Sequence, residues 1–240
     1  MAAAVLAHLL ALYLVVAAPL LGRRRAARLK TALAARPVDP NARLAFYWRT
    51  IARQWATLPA VALIGLLGDR DRHDILLQAP TRISGIHGIL LVLIIVTTAL
   101  LAHLIRRDPD NRAAARDIMG GAALLFPQTA RERKVFLAVS ATAGICEEVL
   151  YRGFFLAYLG WLFPAWSTSQ ILLAGAIAFG LAHLYQGPKG MAFTGIFGWV
   201  IGKAAIDAAS LVVPIVLHAL VDARWSMMPS LEESPSGAGS

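Results

Sequence analysis

The chain has 240 residues, 58% of them hydrophobic and only 15% charged, with a mean hydropathy of +0.62 and a formal net charge of +9. Soluble globular chains run at about 45–50% apolar and about 25% charged residues, so this balance is that of a membrane protein. A single cysteine excludes an internal disulfide scaffold, and so apolar a chain is not intrinsically disordered.

Residues 2–21 carry no Asp, Glu, Lys or Arg, and the basic run Arg23, Arg24, Arg25, Arg28, Lys30 follows them. A cleavable signal peptide has its positive charge before the apolar stretch. The segment therefore reads as a retained first helix with its N-terminus outside. Residues 37–54 mix Arg43, Arg49 and Arg53 with Phe46, Tyr47 and Trp48, an interfacial composition leading into a short second helix over about 55–67. The apolar piece at 75–80 reads as interfacial or re-entrant. A third helix over 86–105 is the clearest span and stops at Arg106-Arg107-Asp108-Pro109. Residues 106–134 read as a polar connection.

A fourth helix is expected from Val135 to Leu159. The turn at 160–169 carries Trp161, Pro164 and Trp166, residues suited to a lipid–water boundary. The fifth helix covers 170–185, and Gly187-Pro188-Lys189-Gly190 makes the next turn. The sixth, at 191–206, is rich in glycine and alanine and suits close helix packing. The seventh covers 211–225, and the Ser/Gly/Pro/Glu-rich tail from Pro229 reads as disordered. The predicted fold class is all-α, a polytopic membrane helical bundle of about seven spans, within a range of six to eight. It divides into N-terminal helices and interfacial segments over 1–134, a helical core over 135–225 and a tail over 226–240.

The basic residues test that topology. Eighteen of the 23 fall in segments expected inside, and only Arg70, Arg72 and Arg82 in segments expected outside; Arg152 and Lys203 lie within helices. Such a positive-inside bias orients the chain with its C-terminus in the cytoplasm. The charge of +9 is then accounted for by topology and attraction to the lipid bilayer, without a nucleic-acid partner.

The ionisable residues left inside the spans are the informative ones, since each costs a few kcal/mol at the bilayer centre. Helix four holds Glu147, Glu148 and Arg152, helix five His183, helix six Lys203 and Asp207, helix seven His218 and Asp222. Glu148 and Arg152 are four apart and share a face, as do His218 with Asp222 and Phe179 with His183. Glu147 is turned about 100° from Glu148 and can face another helix. A carboxylate beside an imidazole in a partly dry cavity can activate water. Plainer readings stand beside this one. Glu148–Arg152 also reads as a buried pair that fixes helix packing, and Lys203–Asp207 as a helix-end bridge. Cys146 reads as a small apolar filler, and His8, His87 and His103 as interhelical hydrogen-bond donors.

Three motifs stand in order on successive spans: Glu147-Glu148-Val-Leu-Tyr-Arg152, Phe179-Gly-Leu-Ala-His183 and His218-Ala-Leu-Val-Asp222. They resemble E-E-x-x-x-R, F-x-x-x-H and H-x-x-x-[N/D] of the CAAX-protease and bacteriocin-processing family of intramembrane proteases. Gln186-Gly-Pro-Lys-Gly190 and Pro214 also look like that family. The resemblance covers about 135–225.

It implies an endopeptidase acting on a membrane-associated protein or peptide. Catalytic roles would fall to Glu147 and His183, which activate water, and to His218 and Asp222, which stabilise the oxyanion or orient the water. Arg152 would hold Glu148, and Phe179 would pack beside the imidazole. Where related eukaryotic enzymes carry asparagine in the last motif, this chain has Asp222, which would be protonated, orient His218 or bind a metal. A mechanism without cofactor is favoured. In the metal-dependent alternative a divalent ion such as zinc would bind Glu147, His183, His218 and Asp222, although no H-E-x-x-H spacing is present. The functional alternative is a non-enzymatic immunity protein or a small proton-relay transporter, against which there is no internal symmetry. An Ala/Arg/Leu-heavy composition points to a bacterial inner membrane.

Overall fold

The computed structural model describes residues 1–35, 37–68 and 76–228. Arg36, the expected outer-loop residues Arg70 and Arg72, and the tail from Pro229 lie outside the described residues. Everything regular among the described residues is helical.

Helix α1, Ala2–Ala34, does not stop at Leu21 but runs on through the basic cluster. Arginine, lysine, leucine and alanine are all strong helix formers, and the first proline after the basic cluster is Pro37. One wider π turn interrupts it at Tyr13–Ala17. Helix α2, Ala42–Leu67, likewise joins the expected interfacial stretch and the expected second span into one rod with Pro59 inside it. Nothing between Ala42 and Trp55 breaks a helix, so an interfacial composition and a helical backbone coexist there.

Of the piece expected to be interfacial or re-entrant, residues 76–80 are described and form no helix. They make an irregular strap, with Leu76 in a left-handed conformation (φ 58°). The strap is bonded to the turn around Ala209: Leu211 N–H donates to Leu76 C=O at 3.0 Å, Gln78 Nε2 to Ala209 C=O at 2.8 Å, and Thr81 N–H to Ala208 C=O at 3.1 Å.

Helix α3, Gly85–Arg107, opens on a capping box in which His87 closes back on the Ser84 N–H. His87 therefore caps its own helix rather than bridging to another. The expected polar connection is itself ordered, as helix α4, Pro109–Met119, and a 3₁₀ turn at Gly120–Leu125. Helix α5 spans 130–162, five residues longer at its start than expected because Thr129 and Glu132 form a capping box. It contains a π turn at Val149–Phe155, directly after the Glu147–Glu148 pair.

Helix α6 is Thr168–Ala182. Helix α7, Gly187–Ala208, absorbs the expected turn as its first turn, with Pro188 where the missing N–H leaves no bond unmade. Helix α8 is Val212–Ala223, followed by a 3₁₀ turn at Arg224–Ser226.

Four described segments are long and apolar enough to cross a membrane: Ala2–Ala34, Ala42–Leu67, Gly85–Arg107 and Leu184–Ala208. The chain is an integral membrane protein of all-α class. Helix α5 is as long as α1, but it carries the three motif charges in its middle, and α6 and α8 are shorter.

The segments expected inside gather at one end. Tyr47 Oη donates to Leu125 C=O at 2.6 Å, Arg133 Nη1 to Ser226 C=O at 2.7 Å, and Phe126 stacks on Trp225 with centroids 4.1 Å apart. At the opposite end His8 Nδ1 bonds to Tyr158 Oη at 2.7 Å, here an interhelical contact as expected. In the middle α5 packs between α2 and α8. Gly144 makes this approach close, because a Cβ there would lie 2.9 Å from both the Ile215 carbonyl oxygen and the Ala219 Cβ.

Candidate active site

Glu147 and Glu148 leave α5 in different directions and enter separate networks. Glu148 is fully buried, and its Oε1 accepts from Arg152 Nη1 at 2.9 Å and from His218 Nδ1 at 2.6 Å. The first bond is the i,i+4 pair read from the spacing. The second ties α5 to α8 and has no local signature.

Arg152, 3% exposed, also donates Nη2 to the Gly198 carbonyl of α7 at 3.1 Å and lies over the Phe179 ring at 4.1 Å. Gly198 makes room for this: a Cβ there would lie 2.9 Å from the Phe179 ring and 3.3 Å from the guanidinium. Arg152 thus links α5, α6 and α7, so the structural reading of the Glu148–Arg152 pair holds whatever else the pair does.

Glu147 faces α2. Its Oε1 accepts from Gln54 Nε2 at 2.7 Å, while its buried Oε2 has no hydrogen-bond partner among the described residues and lies 3.9 Å from His183 Nε2. His183 is not inside α6 but caps its C-terminus (φ −99°, ψ 25°). The motif spacing still operates: Nδ1 donates to the Phe179 carbonyl four residues back, at 2.8 Å. A carbonyl can only accept, so Nδ1 carries a proton, and in the neutral form of the ring Nε2 presents its lone pair towards Glu147. The Phe179 ring, 1% exposed, packs at 4.8 Å from the His183 ring and at 5.9 Å, edge-on, from that of His218.

His218 presents Nε2 on its other side, 3.7 Å from Asp222 Oδ2 and too far for a hydrogen bond. The imidazole is thus flanked by Glu148 and Asp222. Glu147, His183, His218 and Asp222 all line one cavity of about 420 Å³, together with Phe179 and Gln54. Of the seven motif residues five line the cavity, Glu148 is bonded to His218 on its wall, and Arg152 lies over the Phe179 ring.

Among the described residues no three His, Cys, Asp or Glu side chains are placed to hold one ion. The four residues fall into two pairs, Glu147 with His183 and His218 with Asp222, whose nearest atoms are 3.9 and 3.7 Å apart.

Gln54 went unnoticed in the sequence. Its signal is a polar stripe: Thr50, Gln54 and Thr57 stand at helical spacing in α2, and all three line the cavity. Cys146 is buried with no exposed surface. Lys203 and Asp207 pair in α7, away from the cavity.

Residues 130–224 match the family model described as Type II CAAX prenyl endopeptidase Rce1-like. The matched span starts at the first residue of α5, ends just past α8 and contains all three motifs. No curated protein and no solved structure matches the chain.

Proposed function

We propose that this chain, whose residues 130–224 match the type II CAAX prenyl endopeptidase Rce1-like model, is an intramembrane endopeptidase that cleaves a peptide bond of a membrane-associated protein with water activated by Glu147 and His183. The observation that carries this reading is the pair itself. Glu147 and His183 both line the cavity, and their Oε2 and Nε2, acceptors when the carboxylate is ionised and the ring neutral, stand 3.9 Å apart with Oε2 buried and unpartnered among the described residues. A water about 2.8 Å from each can donate one hydrogen to either atom, which aims an oxygen lone pair at a peptide carbonyl in the cavity.

The steps then follow from the bonds already made. Glu147 Oε2 takes a proton from the water as its oxygen bonds to the carbonyl carbon. Gln54 Nε2 holds Oε1 throughout, so the carboxylate cannot rotate away. His218, doubly protonated, keeps Nδ1–H on Glu148 Oε1 and points Nε2–H at the developing oxyanion. Asp222 at 3.7 Å balances the imidazolium. It orients His218 rather than contacting the oxyanion, which accounts for a carboxylate where an asparagine amide would donate directly. The proton on Glu147 passes to the leaving nitrogen, the C–N bond breaks, and a carboxylic acid and an amine are released. Arg152 and Glu148 keep α5, α6, α7 and α8 in register. No step calls for a metal.

The positive-inside bias supports an orientation with the N-terminus outside and the C-terminus in the cytoplasm, and the Ala/Arg/Leu-heavy composition supports a bacterial membrane. The cavity wall reaches Arg25, Lys189 and Arg224 at the basic end, so water and substrate enter from that side.

The decisive experiment compares wild type with Glu147→Gln, in membrane proteomes and on quenched fluorogenic peptides in detergent. Cleavage is expected to fall at least a thousandfold with unchanged melting temperature. Cleavage that survives the substitution sinks the proposal. Exhaustive chelation is expected to leave the rate unchanged; a loss restored by one specific metal overturns the metal-free mechanism.

A further inference from the structure

The cavity that holds Glu147 also carries charge that the protein does not balance. Arg25 of α1 and Arg53 of α2 both line it, are half-buried, and lie within electrostatic reach of each other. Arg53 Nη2 donates to Thr50 Oγ1 at 3.0 Å, and neither arginine has a carboxylate partner among the described residues. The other cations on the wall are answered: Lys189 pairs with Asp117 at 3.4 Å, and Arg224 has Asp222 within reach.

The neighbouring cations make the contrast sharper. Arg23, Arg24 and Arg28 on α1 and Arg49 on α2 are exposed, as residues meeting lipid headgroups or water should be. Arg25 and Arg53 turn inward instead. Two guanidinium groups converging on one cavity repel each other and lose part of their hydration. An anion between them relieves both penalties, and a carboxylate matches the planar donor fork of arginine.

We infer that Arg25 and Arg53 form a subsite that takes a carboxylate of the substrate peptide. This rests on the peptide-hydrolase reading above, since a chain threaded past Glu147 and His183 is what brings a carboxylate into the same cavity. Gln54, the chain neighbour of Arg53, touches Glu147. The subsite therefore lies within a few residues of the scissile bond, at about 3.3 Å per extended residue. The carboxylate belongs to an acidic side chain near that bond or to a free C-terminus. Because both arginines lie outside the matched 130–224 segment, this preference would be a property of the chain's N-terminal helices.

The test uses full-length protein in phosphatidylcholine nanodiscs and paired fluorogenic peptides: Asp against Asn, Glu against Gln, and C-terminal acid against amide. At least one pair is expected to show a KM tenfold lower or more for the acid, which identifies the source of the carboxylate. In Arg25→Gln/Arg53→Gln that ratio is expected to fall to near one, and Arg53→Glu to shift preference towards a Lys-bearing peptide. Glu147→Gln protein, tested for binding of the same peptides without turnover, is expected to show the same preference, so a failure of hydrolysis and a failure of this subsite give different results. Equal affinity for acid and amide peptides in every pair, or a ratio untouched by the arginine substitutions, overturns the inference. So does loss of the ratio on moving to phosphatidylglycerol nanodiscs, which would assign the arginines to lipid phosphate.

Discussion

His218 Nδ1 meets Glu148 Oε1 at 2.6 Å across 70 residues of chain, and the same oxygen accepts Arg152 Nη1 at 2.9 Å. The second glutamate of the motif is thus the anchor of the network rather than a spare copy of the first. It joins the helix that carries Glu147 to the helix that carries His218 and Asp222.

Removing Arg152 should be strongly destabilising, because Glu148 would keep a buried charge with one partner fewer. Breaking a buried pair from one side costs about 3–5 kcal/mol. Arg152→Met is expected to lower the melting temperature in detergent markedly, and Glu148→Gln/Arg152→Met to lower it by less than the sum of the two single changes. Strict additivity would show that the two side chains are not coupled.

Gln54 should act on turnover more than on substrate affinity, because it touches Glu147 and holds one carboxylate oxygen. Gln54→Ala is expected to reduce kcat by about tenfold with little change in KM, the signature of an interaction used in the transition state. Gln54→Glu is expected to be worse, and increasingly so as pH rises and the introduced carboxylate ionises beside Glu147. A rate loss in Gln54→Glu that is flat with pH would count against a positioning role.

Gly144→Ala should push α5 and α8 apart, since the new Cβ would meet the Ile215 carbonyl and the Ala219 Cβ at 2.9 Å. Overpacking of this kind costs about 1–3 kcal/mol. Because α8 carries His218 and Asp222, activity should fall together with melting temperature. Adding Ala219→Gly should recover part of both, as it removes one of the two clashes and leaves the carbonyl.

Cys146 should be unreactive in the folded protein. It has no exposed surface although it adjoins Glu147, so a water-soluble maleimide is expected to label it only after denaturation. Labelling of native protein, followed by mass spectrometry, would show that the α5 wall opens at this point.

The sequence alone sufficed for the class of the molecule and for nominating the motif residues that gather around one cavity, though not Gln54. Apolar blocks and the side on which arginines accumulate reflect the cost of moving charge and unpaired backbone into hydrocarbon, which is paid locally, residue by residue. The i,i+4 relations also held where the contact lies within one segment, as in Glu148–Arg152 and in His183 with the Phe179 carbonyl. Helix limits were less legible. The basic run after Leu21 and the aromatic run before Trp55 mark a change of solvent, and a helix can cross from lipid into water without a break.

What only the tertiary structure decided is which groups from different helices meet. Glu147 with Gln54 and His183, Glu148 with His218, and Arg25 beside Arg53 are separated by 28 to 93 positions. A spacing rule cannot see such pairs, because they depend on how each helix is rotated and shifted against its neighbours. That placement is set by close approaches such as Gly144 on α8 and Gly198 under Phe179. The residue types named the chemistry, and the packing assigned each carboxylate its partner.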